Sequence, residues 1–246
     1  MRKIKQLGLG MVCIASLMAC NQPVNKEEGA ATETMTESEW TPLFDGSSLD
    51  AWRSYLADTI GSAWKIEDGA LTRDVSIKDA EGHPIGGGDL VTKEDFDNFD
   101  LELEWKISPC GNSGVFFGVI ESPEYEETYF TGPEIQVLDN SCHPDAKIPK
   151  HRAGDLYDLV ACSEETVKPA GEWNAVKIRM DQGKGTFNLN GTDVVQFDMN
   201  DPSWKELIAG SKFHEWPAFG TAKKGKIALQ DHKDQVWFRN IRIRRI

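Results

Sequence analysis

The string FDLELEWKI, residues 99–107, sets Leu101, Leu103 and Trp105 on one side of an extended chain and Glu102, Glu104 and Lys106 on the other. A period of two belongs to a β-strand with one buried face, and no helix can satisfy it. The same reading covers GVFFGVI (114–120) and PEIQVLD (133–139). EWNAVKIRM (172–180) turns at DQGKG into TFNLN, and Asn190-Gly191 then supplies a two-residue turn before TDVVQFDM, so these three strands form a meander. One helix is persuasive: Asp201 as N-cap, Pro202 in the first turn, SWKELIA, and Gly210 as the stop. Many short strands, Gly-rich turns and one or two short helices predict an all-β, two-sheet jelly-roll sandwich.

Strand faces then nominate a groove. On PEIQVLD, Ile135 and Val137 share one face while Glu134, Gln136 and Leu138 share the other. On KIALQDH, Ile227, Leu229 and Asp231 oppose Ala228, Gln230 and His232. The apolar partners assign Glu134, Gln136, Gln230 and His232 to the groove side. A solvated sheet face with no function also carries outward polar residues, so this pattern alone does not require a site. The C-terminal run, Gln230 through Arg239 and on to RIRR, reads as a hairpin along the groove floor.

Both ends of the chain bear on location and partners. Charged residues make up 27% and hydrophobic ones 39% of 246 residues, a globular balance. Formal charge is −13, which opposes a phosphate backbone and makes nucleic acid a poor partner. MRKIKQ is a basic n-region, LGLGMVCIASLMA an apolar stretch short for a bilayer, and Leu17-Met18-Ala19-Cys20 resembles a lipoprotein signal motif. That resemblance implies cleavage of residues 1–19, acylation of Cys20 and an exported, membrane-anchored bacterial lipoprotein facing the periplasm or the cell surface. Loss of Arg2, Lys3 and Lys5 with the signal takes the charge to −16. Residues 20–38 lack aliphatic periodicity and read as a flexible tether, leaving one domain at 39–246. Of the remaining cysteines, Cys110, Cys142 and Cys162, at most one intramolecular bridge can form.

Eight ordered strings narrow the fold to a family. LFDGSSLDAW (43–52), GNSGVFF (111–117), TGPEIQVLDN (131–140), AGDLYDL (153–159), GEWNAVKI (171–178), LNG (189–191), SKFHEWPAFG (211–220) and GKIALQDHKDQVWFRNIRIR (225–244) together resemble the DUF1080 family of 3-keto-disaccharide hydrolases, also described as 3-keto-glucoside lyases and hydratases. The resemblance implies a concanavalin A-like or laminin-G-like jelly roll. Lys233 departs from a pattern that often has Gly after QDH.

The chemistry the family implies begins with a sugar whose 3-hydroxyl a separate oxidoreductase has turned into a ketone. The C2 proton then lies α to a carbonyl, a base can remove it, and β-elimination at C1 leaves a 2-hydroxy-3-keto-glucal. Addition of water completes a net hydrolysis. The route needs a base, a group to hold the enolate oxygen and an acid for the leaving group. His143, His232 and Glu134 are the candidate bases, with Lys212 and Arg239 for the oxygen. Asn112, Gln136, Asp139, Tyr157, Gln230 and Asp231 are candidates for binding the sugar, and Trp216 for stacking on its ring. His143, Asp145 and His232 could instead bind a divalent metal that polarises the ketone.

Two other functions compete. A retaining glycosidase needs paired carboxylates roughly 5 Å apart, and Glu134 and Asp139 are an odd five residues apart, which on an unbulged strand sends them to opposite faces. A noncatalytic sugar-binding lipoprotein fits the fold but has little need for His143, His232 and Lys212 beside carboxylates.

Overall fold

The computed structural model describes residues 39–246, so the signal, tether and Cys20 readings lie outside the described residues. In chain order the strands are β1 Thr41–Phe44, β2 Trp52–Ser54, β3 Trp64–Glu67, β4 Ala70–Arg73, β5 Leu90–Thr92, β6 Phe99–Ile107, β7 Asn112–Val119, β8 Glu134–Leu138, β9 Asn174–Asp181, β10 Lys184–Leu189, β11 Thr192–Asp198, β12 Lys226–Leu229 and β13 Val236–Arg245. They form two antiparallel sheets. The larger runs β11-β10-β9-β6-β13-β4-β3, with β1 joined to β13, and the smaller runs β2-β5-β12-β7-β8.

The period-two strings do what their spacing requires. Strand β6 alternates buried and half-buried residues along its whole length, with Leu101, Leu103 and Trp105 in the core. The β9-β10-β11 meander forms as expected, and the left-handed backbone at Asn190 (φ 52°) and Gly191 (φ 94°) makes its tight turn. The α-helix, α1, spans Pro202–Ala209; the Asp201 side chain accepts a hydrogen bond from the Ser203 N–H at 2.9 Å and Gly210 ends the helix.

The expected C-terminal hairpin does not form. Strand β12 lies in the small sheet between β5 and β7, whereas β13 lies in the large sheet between β6 and β4. The chain changes layers between residues 230 and 236. Its crossing is held by a buried ion pair: Arg73 Nε, on β4, meets Asp231 Oδ1 at 2.8 Å, with the two side chains 1% and 6% exposed. Asp231 also accepts from the Gly88 N–H at 2.8 Å and the Lys233 N–H at 2.9 Å. A buried, fully engaged carboxylate of this kind fixes the joint between layers, and breaking it would strand Arg73.

Lys233 adopts φ 70° at this crossing. The left-handed conformation places a Cβ against the backbone at a cost of about 1–2 kcal/mol, which a glycine avoids. Lys233→Gly is therefore expected to raise the unfolding free energy by about 0.5–1 kcal/mol in a denaturant titration; an unchanged or lower midpoint would contradict the strain argument.

The small sheet departs from simple in-and-out alternation. Strands β7, β8 and β12 are buried on both faces. On the side away from the main core, Val91, Phe116, Val119 and Ala228 form a second apolar cluster against Tyr55 and Tyr129. Loop segments, and not solvent, cover much of this outer face. A cavity remains beside the cluster.

Candidate active site

The cavity has a volume of about 450 Å³ and is lined by Asn112, Tyr129, Glu134, Gln136, Tyr157, Lys212, Phe213, Trp216, Gln230 and His232. Its polar floor comes from three adjacent strands. Pairing of β7 with β8 sets Phe116 against Glu134 and Gly114 against Gln136, while the Gln230 N–H donates to the Gly114 carbonyl at 2.9 Å. Glu134 and Gln136 thus share the groove face and Ile135 and Val137 the core, as their spacing predicts. A Cβ on Gly114 would overlap the Glu134 Oε1 atom, so this glycine leaves the room in which the carboxyl lies.

Two amide oxygens in the lining, Asn112 Oδ1 and Gln230 Oε1, are buried without a hydrogen-bond partner. Buried polar atoms are ordinarily paired, so these two oxygens mark polar groups set into the floor without a protein partner. The opposite wall is aromatic. Trp216 packs on Phe130 (ring centroids 4.7 Å), Phe213 (5.4 Å) and Tyr129 (5.5 Å), and amide floors facing aromatic walls suit sugars.

The ionisable groups are strongly perturbed. Burial holds the Glu134 carboxyl well above its usual range; the Lys212 cation opposes this shift, the charges of Asp89 and Asp145 reinforce it, and no hydrogen bond contributes. His232 stands exposed at the cavity, and partial desolvation there, opposed by the charge of Asp234, shifts it below its ordinary 6.5. The Lys212 ammonium lies over the Tyr157 ring at 4.1 Å, while its backbone N–H donates to Asp158 Oδ2 at 2.7 Å. Asp158 in turn binds His151 Nε2 at 2.9 Å, and the His151 ring packs 4.2 Å from Tyr157. The Tyr157 hydroxyl donates to Asp145 Oδ2 at 3.2 Å, and burial raises its pKa out of the working range. Tyr157 and Lys212 are thus anchored from behind by Asp145, His151 and Asp158.

Of the residues nominated from sequence, Asn112, Glu134, Gln136, Tyr157, Lys212, Trp216, Gln230 and His232 meet at the cavity. His143 stands next to it, its ring 6.4 Å from that of His232, with Nδ1 accepting from the Asp145 N–H at 3.2 Å. Three nominations are corrected. Asp139 spends its carboxylate on the Cys110 N–H and on Ser141, tightening the loop closed by the Cys110–Cys142 disulfide. Asp231 is consumed by Arg73 and the layer crossing. Arg239 lies on the large sheet, paired with Glu104 and stacked 4.0 Å over Trp173, because β13 left the layer that carries the cavity.

The metal donor set fails on spacing. Among the described residues, ligand atoms converge within 4.8 Å only at Cys110, Asp139 and Cys142, where both thiols are in the disulfide; His143, Asp145 and His232 do not close into such a group. Arg239→Ala is expected to leave kcat/KM within about twofold of wild type, with at most about 1 kcal/mol lost from an exposed pair; a tenfold loss would return Arg239 to the site.

Sequence reasoning missed Tyr129 and Phe213. Phe213 stood in a quoted string but reads as core, and only three-dimensional packing brings the Thr128–Phe130 turn over the small sheet.

Comparison with known proteins agrees with this fold. A 3-keto-disaccharide hydrolase of Bacteroides thetaiotaomicron is 39% identical, over 82% of this chain and 77% of the relative. A solved structure from Parabacteroides distasonis, provisionally described as a glycosyl hydrolase, superposes with a TM-score of 0.74 at 28% identity, covering 84% of this chain and 94% of the other. A Bacillus subtilis protein with a galectin-like fold superposes at 0.54 and 14% identity, covering 85% of this chain and 97% of the other, a likeness of fold alone. The 3-keto-alpha-glucoside-1,2-lyase-like domain matches residues 39–244, so the chain belongs to that family.

Proposed function

We propose that this carbohydrate-active enzyme cleaves 3-keto-glycosides by elimination and rehydration, with His232 as base and Glu134 as acid. The observation that carries the reading is one cavity holding an imidazole made less basic by partial desolvation, a carboxyl made less acidic by burial, and an ammonium beside them. The opposed shifts favour the form with His232 neutral and Glu134 protonated, which the reaction requires at its start.

Neutral His232 takes the C2 proton. The electron pair of that C–H bond becomes the C1–C2 double bond as the C1–O bond breaks, and the Glu134 proton goes to the departing oxygen. Charge that develops on the C3 oxygen faces the Lys212 ammonium. The enone product leaves His232 protonated and Glu134 ionised. Glu134 then removes a proton from water as its oxygen bonds to C1, His232 returns a proton to C2, and both side chains regain their starting states. The amide side chains of Asn112 and Gln230, which line the cavity floor, bind ring hydroxyls. Among the residues lining the cavity Glu134 is the sole carboxylate, which deprives a retaining glycosidase of its second carboxyl.

The test is turnover of a 3-keto-disaccharide such as 3-keto-trehalose beside its unoxidised parent, each with and without chelator. Release of monosaccharide and a transient ultraviolet-absorbing enone from the keto sugar alone supports the reading. Cleavage of the parent would replace it with a glycosidase, silence on both with a sugar-binding protein, and loss of rate with chelator would add a metal.

The substrate requires an earlier enzyme that oxidises the 3-hydroxyl. We also propose that the chain is exported and anchored through Cys20. Its Cys110–Cys142 disulfide suits an oxidising compartment. Labelled palmitate should enter the wild-type protein in cells and be lost from Cys20→Ala, which should move to the soluble fraction; equal labelling of the two would refute the anchor.

A further inference from the structure

Asp89 lies just before β5, outside the cavity lining, and has no role in the chemistry above. The pairing of β5 with β12 sets Leu90 against Leu229, which brings residue 89 beside the strand end that carries Gln230 and His232. There Asp89 Oδ1 accepts the Asp231 N–H at 2.8 Å. The other oxygen, Oδ2, accepts the hydroxyl of Thr128, a fully buried residue that opens the turn Thr128–Phe130. That turn presents Tyr129 to the cavity. A single carboxyl group thus ties the wall that carries the base to the wall that carries an aromatic face.

We propose that Asp89 is a positioning residue of the active cavity, fixing the Gln230–His232 wall and the Tyr129 turn at the spacing a bound sugar needs, and biasing Glu134 through its charge. The inference rests on the reading of Glu134 and His232 given above. Its electrostatic part acts across the sheet: the charge of Asp89, which lies before β5, is among the groups that favour the proton on Glu134, on β8. Asp89 itself is pushed up to about 7, chiefly by burial, with the charges of Glu127 and Asp231 adding to the shift and the Thr128 hydroxyl and Asp231 N–H opposing it. Asp231 is compensated by Arg73. Asp89 consequently gains its charge near neutrality and helps Glu134 remain an acid as pH rises.

Two variants separate these effects. In Asp89→Asn the amide oxygen can still accept the Asp231 N–H and the amide N–H₂ can donate to the Thr128 hydroxyl oxygen, so the bridge survives without charge. Asp89→Ala removes both. With a 3-keto-disaccharide as substrate, D89N is expected to keep kcat within about threefold at low pH, while the high-pH limb of kcat/KM, set by ionisation of Glu134, moves to lower pH. D89A is expected to lose about tenfold or more in kcat/KM. Calorimetric binding of the same sugar in a His232→Gln background should weaken about tenfold when Asp89→Ala is added. Matching D89A and wild-type activity and binding would overturn the inference, as would a D89N profile that does not move. Wild-type protein that binds the keto sugar without turning it over would sink the reaction reading instead, and the binding comparison would still decide the positioning role.

Discussion

Glu134→Gln is expected to lower kcat on a 3-keto-disaccharide by about 10³-fold, roughly 4 kcal/mol of barrier, since the amide keeps the shape of the acid but has no proton to give the leaving oxygen. Exchange of the C2 hydrogen with deuterated solvent should persist, because His232 can still form and quench the enolate. A variant that lost exchange and turnover together would make Glu134 the base. The same substitution has a stability signature of definite sign. The Glu134 carboxyl binds its proton more tightly in the folded protein than in the unfolded chain. Wild-type stability therefore falls as pH rises from about 4.5 through the folded value. Gln does not titrate, so the variant should melt higher than wild type at pH 8 and the gap should close toward pH 4; a variant that melts lower at pH 8 would show that the buried carboxyl is not strained by ionisation.

His232→Gln is expected to cost about 10²–10⁴-fold in kcat and, unlike Glu134→Gln, to abolish C2 exchange along with turnover. Wild-type kcat/KM should drop on the acid side as His232 gains a proton. Because partial desolvation at the cavity lowers its pKa, that limb should lie below the ordinary 6.5. Retained exchange in His232→Gln would move the base to His143, whose ring is 6.4 Å away. The two variants together test the direction of proton flow, which the loss of activity in either alone would not do.

Strand character and the choice of groove face were legible because they depend on spacing along single segments. The alternation around Ile135 and Val137, and that around Ile227 and Leu229, told which side chains leave the core, and the structure gathers them as that spacing implies. Asp231 and Arg239 were misassigned for a different reason. Their strings adjoin the site in sequence, but the layer change between 230 and 236 sends one into a buried ion pair and the other to the outer face of the opposite sheet. Nothing periodic marks such a crossing. Asp139 shows a further limit, since local polar turns absorb carboxylates that look free when read as strand residues. Tyr129 escaped notice because its turn reaches the cavity through a tertiary bond from Thr128 to Asp89.

The room that Gly114 leaves for the Glu134 carboxyl carries a consequence for how such a site can change. Even one methyl group on that strand would displace the Glu134 carboxyl while the other side chains of the cavity stayed in place. A search restricted to reactive residues would score such a variant as intact. The place of the Glu134 carboxyl is specified in part by an omission on the neighbouring strand, and replacing Gly114 silently alters the site in descendants that keep every polar residue of its lining.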